Sequence, residues 1–296
     1  MRSRWSGRGR ALGLAVMDLA NPFFADVLAA METKVAAEGY AVRIGDSAGD
    51  PEREVDILRG YERHRVHGVL LAPIGEVPDQ VKRLRHRGVP VVLVDRGVDD
   101  PDFCAVGVDD VTGGRLAVAH LTERGHRRIA FVGGPGSLPQ VRDRLLGAKL
   151  ASAGYGDQLR LRTLLTTVLD VPAGLKAAAT LVALKPSERP TAVFAANDLL
   201  AIGVLQGLAA VGLRVPDDVA LVGYDDIDLA ALADVPLTTV RQPRAALGAE
   251  ATRLLLAEIG DAATGLEHEH RQVRFVPELV VRESSTRTIH AAGGEP

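Results

Sequence analysis

The chain has 296 residues, 47% of them apolar, a formal net charge of −3 and one cysteine. That length suits two subdomains with ordinary cores. The charge balance excludes a nucleic-acid surface spread over the whole body, and the lone Cys104 excludes an internal disulfide.

The basic charge is local at the start, where Arg2, Arg4, Arg8 and Arg10 run directly into the apolar stretch "ALGLAVM". This mimics a secretory signal, but Asp18 closes the apolar run after seven residues and no small-residue cleavage site follows. No run approaches the ~18 apolar residues of a membrane span. The cytoplasm is the expected compartment, with no membrane partner.

"ALGLAVM" (11–17) reads as a buried parallel strand. Phe24, Val27, Leu28, Met31 and Val35 then recur at helical spacing up to Gly39. Strand "YAVRI", helix 51–64, strand "GVLLA", helix 77–87 and strand "VPVVLV" follow. The pattern restarts with strand "AVGV", helix 112–124, strand "RIAFVG" and helix 139–153. Further on come strand "TAVFAA", helix 198–211, strand "VALVGY", a short helix, strand "LTTV", helix 244–260 and the tail "VRFVPELVV". Such alternation implies right-handed crossovers and an α/β fold with two doubly wound parallel sheets.

Ligands of open parallel sheets bind beyond the carboxyl ends of the strands, and here those ends are polar. Asp18 and Asn21 follow the first strand, Asp95 and Arg96 follow "VPVVLV", and Arg142 and Arg144 follow "RIAFVGG". Asn197 and Asp198 follow "TAVFAA", Asp225 and Asp226 follow "VALVGY", and Arg241 and Gln242 follow "LTTV". Asn21 before Pro22, and Asn197, suit either a helix cap or a ligand contact. The adjacent rings of Phe23 and Phe24 point about 100° apart on a helix, so one is expected to pack inward and the other to face a crevice. Carboxylates, carboxamides, guanidinium groups and an aromatic face together suit a polyhydroxylated ligand.

Enzyme signatures are missing. There is no G-x-x-x-x-G-K-[ST] and no G-x-S-x-G, and "GGPGS" (133–137) lacks the dinucleotide spacing and carries a Pro without an N–H. His268-Glu269-His270 is read as an exposed loop rather than a metal site. Cys104, which no motif pairs with a His, is read as a small apolar residue beside a strand. No catalytic residue, metal or cofactor is expected.

The stretches "LGLAVMDLANPFF", "VPVVLVDR", "VGVDDVTGGRLAVAHLTERGHRRIAFVGG", "AVFAANDLLAIGVLQGLAAVGLRVPDDVALVGYDD" and "PLTTVRQP" resemble the lac-repressor/galactose-repressor family of bacterial transcription regulators, whose core is similar to periplasmic sugar-binding proteins. The resemblance implies two α/β subdomains joined by three crossovers, with a small-molecule effector, a monosaccharide, bound between them. It places residues 11–108 and 242–275 in the first subdomain and 109–241 and 276–285 in the second, with 1–10 as a hinge remnant and 286–296 as a disordered tail. Carried over position by position, the effector contacts would be Asn21, Phe23, Phe24, Asp95, Arg96, Arg142, Asn197, Asp225 and Gln242. Leu169 stands where an aromatic often precedes the helix near 172, and Arg4 where a Leu usually wedges into the DNA groove. The resemblance further implies a homodimer. Arg2, Arg4, Arg8 and Arg10 would lie close to DNA, and operator DNA would be read only through a helix-turn-helix headpiece missing from this chain. A sugar-binding protein of a transport system is the alternative, followed by a Rossmann-type enzyme.

Overall fold

A computed structural model describes residues 10–96 and 102–286. Arg2, Arg4 and Arg8, and residues 287–296 of the expected tail, lie outside the described residues. The chain divides into two compact units. Unit 1 holds residues up to Asp109 and returns for Pro243–Phe275, while unit 2 holds Asp110–Gln242 and the residues from Val276 on.

Unit 1 begins with β1 (Ala11–Val16), α1 (Pro22–Ala37), β2 (Ala41–Asp46), α2 (Pro51–Arg63), β3 (Val69–Leu71), α3 (Asp79–His86), β4 (Val91–Val94) and β5 (Ala105–Val108). Unit 2 follows with α4 (Asp110–Glu123), β6 (Arg128–Gly133), α5 (Pro139–Ala153), β7 (Arg160–Leu165), α6 (Val171–Val182), β8 (Ala192–Ala195), α7 (Asp198–Ala209), β9 (Ala220–Asp225), α8 (Asp228–Leu232) and β10 (Thr238–Arg241). The chain then adds α9 (Arg244–Thr264) and β11 (Gln272–Phe275) to unit 1, and β12 (Glu278–Val280) to unit 2.

The sheet of unit 1 runs β11-β5-β4-β3-β1-β2 with every pairing parallel. That of unit 2 runs β12-β10-β9-β8-β6-β7. Both have the doubly wound order, with the direction of winding reversing beside β1 and beside β6. The tail "VRFVPELVV" is split at Pro277 between the two sheets. Its second half, β12, pairs antiparallel with β10, so the second sheet is not wholly parallel.

Local chemistry sets the helix starts. Asn21 Oδ1 accepts from Phe23 N–H at 3.0 Å with Pro22 in the first turn, and Asp50 Oδ1 accepts from Glu52 N–H at 2.8 Å before Pro51. Asp170 Oδ1 caps α6 through Ala173 N–H at 2.8 Å. Central strands such as β1 and β9 are buried along their whole length, whereas the edge strands β2 and β7 are largely exposed. β7 and α6 were not among the elements expected from periodicity. "RLRTLL" carries two arginines on an open edge and has no apolar run to announce it.

Two helix pairs pack backbone to backbone. A Cβ on Gly114 of α4 would lie 2.0 Å from Arg144 O of α5, and one on Gly147 of α5 would lie 2.0 Å from Val111 O of α4. Gly174 of α6 and Gly203 of α7 meet in the same way.

Candidate functional site

In unit 1 the polar residues follow β1, β3 and β4. Asn21 serves as the α1 cap. Phe23 and Phe24 are each 2% exposed and meet edge to face, ring centroids 5.0 Å apart, so neither ring is open to solvent. Both fit indoors because the first turn of α1 lays one ring against the edge of the other. Asp95, directly after β4, is buried and has φ 58°. Its neighbour Arg96 holds Nη1 in a buried position with no hydrogen-bond partner among the described residues. Glu54 of α2 was not anticipated. It is buried, accepts from Ile74 N–H at 3.0 Å in the segment after β3, and burial pushes its carboxyl up to about 7 while the Arg96 charge pulls the other way. Arg10, the described member of the basic strip, lays its guanidinium 4.0 Å above the Tyr40 ring and donates to Tyr40 Oη.

In unit 2 the strand ends converge on a buried charge network. Arg144, whose side chain is 5% exposed, donates from Nε to Asp110 Oδ1 at 2.8 Å and from Nη1 to Ala196 O at 2.7 Å. Its guanidinium also stacks 3.7 Å over the Tyr224 ring and lies 3.8 Å from Asp225 Oδ1. Arg142, two residues earlier, is exposed. Asp225, at φ 107°, accepts from Gln242 Nε2 at 2.7 Å, and Gln242 Oε1 is buried without a hydrogen-bond partner among the described residues. Asn197 is 1% exposed and uses both ends of its amide: Oδ1 caps α7 through Leu200 N–H at 2.9 Å, and Nδ2 donates to Leu169 O at 3.0 Å. Asp198 is fully buried, accepting from Thr239 Oγ1 at 2.7 Å and Ile227 N–H at 3.0 Å. Burial, then the neighbouring Asp225, holds its carboxyl well above the usual range. Asp226 is clamped by Arg241 Nε and Arg282 Nη2, both at 2.6 Å.

The exposed-loop reading of His268-Glu269-His270 holds for Glu269 and is corrected for the two histidines, which are half-buried. The His268 side chain is 13% exposed, and its Nε2 lies 3.3 Å from the sulfur of Cys104, the residue that no motif pairs with a His. The cause is long-range pairing. β11 lies beside β5 with Gln272 opposite Ala105, which brings the residues before each strand together.

Residues 118–285 match the family model of the periplasmic binding protein-like domain. The HTH-type transcriptional repressor PurR of Aliivibrio fischeri (strain MJ11) is 32% identical over 93% of this chain and 81% of its own length. The chain belongs to the lac-repressor/galactose-repressor family of transcriptional regulators. Two solved structures agree with that membership. The transcription regulator GntR from Chromobacterium violaceum is 32% identical, with a TM-score of 0.84 over 93% of this chain and 99% of that one. A LacI family transcriptional regulator from Enterococcus faecium, solved with bound ribose, is 30% identical, with a TM-score of 0.82 over 93% and 98%. In family terms the two units form the effector-sensing core of a regulator. Among the described residues no helix is long and apolar enough to cross a membrane.

Proposed function

We propose that this chain senses a small neutral monosaccharide, held by residues at the carboxyl ends of the strands in both units, and that the effector controls operator binding by a cytoplasmic homodimer. The observation that carries the reading is a pair of buried polar atoms, Arg96 Nη1 after β4 and Gln242 Oε1 after β10, left without hydrogen-bond partners among the described residues. A buried polar atom without a partner costs about 1–3 kcal/mol, so such atoms are normally satisfied. A sugar hydroxyl satisfies either kind, accepting from the guanidinium and donating to the carboxamide. Asp225 and the exposed Arg142 add charge-assisted bonds. Asn21 and Asn197 fix the helix starts at two of those strand ends, and the buried edge-to-face pair Phe23 and Phe24 directly follows Asn21. The ribose carried by the Enterococcus faecium relative supports this ligand class. The dimer is what the resemblance to the family implies.

A thermal-shift screen over monosaccharides, sugar phosphates and nucleosides tests the proposal. A monosaccharide present at ~100 times its Kd stabilises the protein by about 2.7 kcal/mol. A response confined to nucleosides or to sugar phosphates overturns the ligand class. Sedimentation showing monomer alone at micromolar concentration overturns the dimer.

A further inference from the structure

We propose that Cys104, Glu258, His268 and His270 of unit 1 form a four-ligand zinc site, separate from the effector residues. Cys104 immediately precedes β5, Glu258 lies on α9, and the two histidines precede β11. One donor atom from each residue falls within 4.8 Å of all the others. Cys104 Sγ lies 3.3 Å from His268 Nε2 and 3.8 Å from His270 Nδ1. A tetrahedral zinc with its usual bonds to sulfur and nitrogen needs about 3.6 Å between such donors, so the two distances bracket the required value.

The donor chemistry fits a dication. One thiolate and one carboxylate with two neutral imidazoles neutralise Zn2+, and the mixed sulfur, nitrogen and oxygen set is of the kind zinc accepts. The surroundings are organised in the same sense. Glu258 is 7% exposed, and its Oε2 is buried without a hydrogen-bond partner among the described residues. Nothing in the fold as described uses that oxygen. His268 Nδ1 lies 2.6 Å from Asp261 Oδ2, a carboxylate–histidine contact that fixes the tautomer and turns Nε2 toward the sulfur. Arg271 N–H points at Cys104 Sγ from 3.4 Å, a donor that stabilises a bound thiolate. A surface groove of about 690 Å³, lined in part by Arg85, Phe103, Glu258, His268 and His270, gives the ion a way in.

Binding has defined local consequences. Burial pushes the Cys104 thiol above its ordinary range, so zinc replaces its proton, which leaves to solvent. Metal on His270 Nδ1 places the ring proton on Nε2. Arg85 Nη2, now 3.1 Å from that nitrogen, must then withdraw, and its guanidinium keeps its seat 4.5 Å above the Phe103 ring. The ion would tie the segment between α9 and β11 to the start of β5.

Cobalt titration of the chelator-stripped full chain, made without a histidine tag, tests the site. One equivalent of Co2+ is expected to produce a thiolate-to-metal charge-transfer band together with the intense visible bands of tetrahedral coordination, and one equivalent of Zn2+ to abolish both. His268→Ala, at a half-buried position, and Cys104→Ala are each expected to lose the bands and to weaken zinc binding at least tenfold. Zinc is expected to raise the melting temperature of the parent and of neither variant. Absence of the charge-transfer band in the parent, or zinc binding undiminished in His268→Ala, overturns the proposal. Because monosaccharide binding is read separately, failure of either reading leaves the other standing.

Discussion

Arg144 and Asp110 form a buried ion pair, Nε to Oδ1 at 2.8 Å, with both side chains less than a tenth exposed. The pair joins the start of α4 to α5, and the same guanidinium covers the Tyr224 ring. Removing one partner strands a charge where water does not reach it, at a cost of about 3–5 kcal/mol. Arg144→Met is therefore expected to lower unfolding stability by about that amount in urea denaturation. Arg142→Ala, on the exposed side of the same helix, is expected to stay within about 0.5 kcal/mol of the parent. Equal losses in the two variants would show that the buried network does not hold the unit together.

The contact between α4 and α5 leads to a second expectation. Gly147 carries no side chain because a Cβ there would sit 2.0 Å from Val111 O, a backbone atom that cannot swing away. Gly147→Ala must push the helices apart, and overpacking of this kind costs about 1–3 kcal/mol, sometimes more. Gly154, just past the same helix, has open space around its Cβ direction. Gly154→Ala is expected to leave the melting temperature nearly unchanged, and a differential scan of the two variants checks the contrast.

Stability should also respond to pH through two groups of opposite sign. Glu54 is raised from 4.5 to about 7, mainly by burial. The folded state holds this proton more tightly than the unfolded chain, so the contribution is fully present below about 4.5 and is lost as pH rises through about 7. His120 is lowered from 6.5 to about 4, again mainly by burial. Its contribution is fully present above about 6.5 and is lost as pH falls through about 4. Between these limits the two slopes oppose each other, so a variant is needed to separate them. Glu54→Gln is expected to gain on the parent by about 2 kcal/mol between pH values of about 4.5 and 8, after allowance for solvent screening. A stability difference that stays flat with pH would place the titration elsewhere.

Much of the frame was legible because its signals are local. Asn21-Pro22 announces α1, and runs such as "RIAFVG" and "AVGV" are too short and too apolar to be anything but buried strands. The charges that organise the interior were harder to see, although a trace existed. Glu54 lies on the same stripe of α2 as Leu58 and Tyr61, and Arg144 on the same stripe of α5 as Val141 and Ala148. A charge at core spacing signals a buried group that needs a partner of its own. The approach of Cys104 to His268 left no such trace. Cys104 and His268 are 164 residues apart and meet only because β11 returns beside β5, and no local spacing encodes that pairing.

The effector reading gives the last prediction. Gln242 bridges two roles: Nε2 donates to Asp225 Oδ1 at 2.7 Å, while Oε1 is buried and unpartnered among the described residues. Gln242→Ala removes both the waiting acceptor and the group that orients Asp225. Arg142→Ala removes an exposed guanidinium and leaves the buried network untouched. A neutral hydrogen bond contributes about 0.5–1.5 kcal/mol and a charge-assisted one about 1.5–3 kcal/mol. Arg142→Ala is thus expected to weaken monosaccharide binding about 10- to 150-fold with little change in stability. Gln242→Ala is expected to weaken binding and also to lower stability, because Asp225 loses its donor inside the unit. Calorimetric titration of both variants with the sugar found in the thermal-shift screen measures this. Unchanged affinity in both would remove Arg142 and Gln242 from the site, and with them the polar half of the proposed contact set.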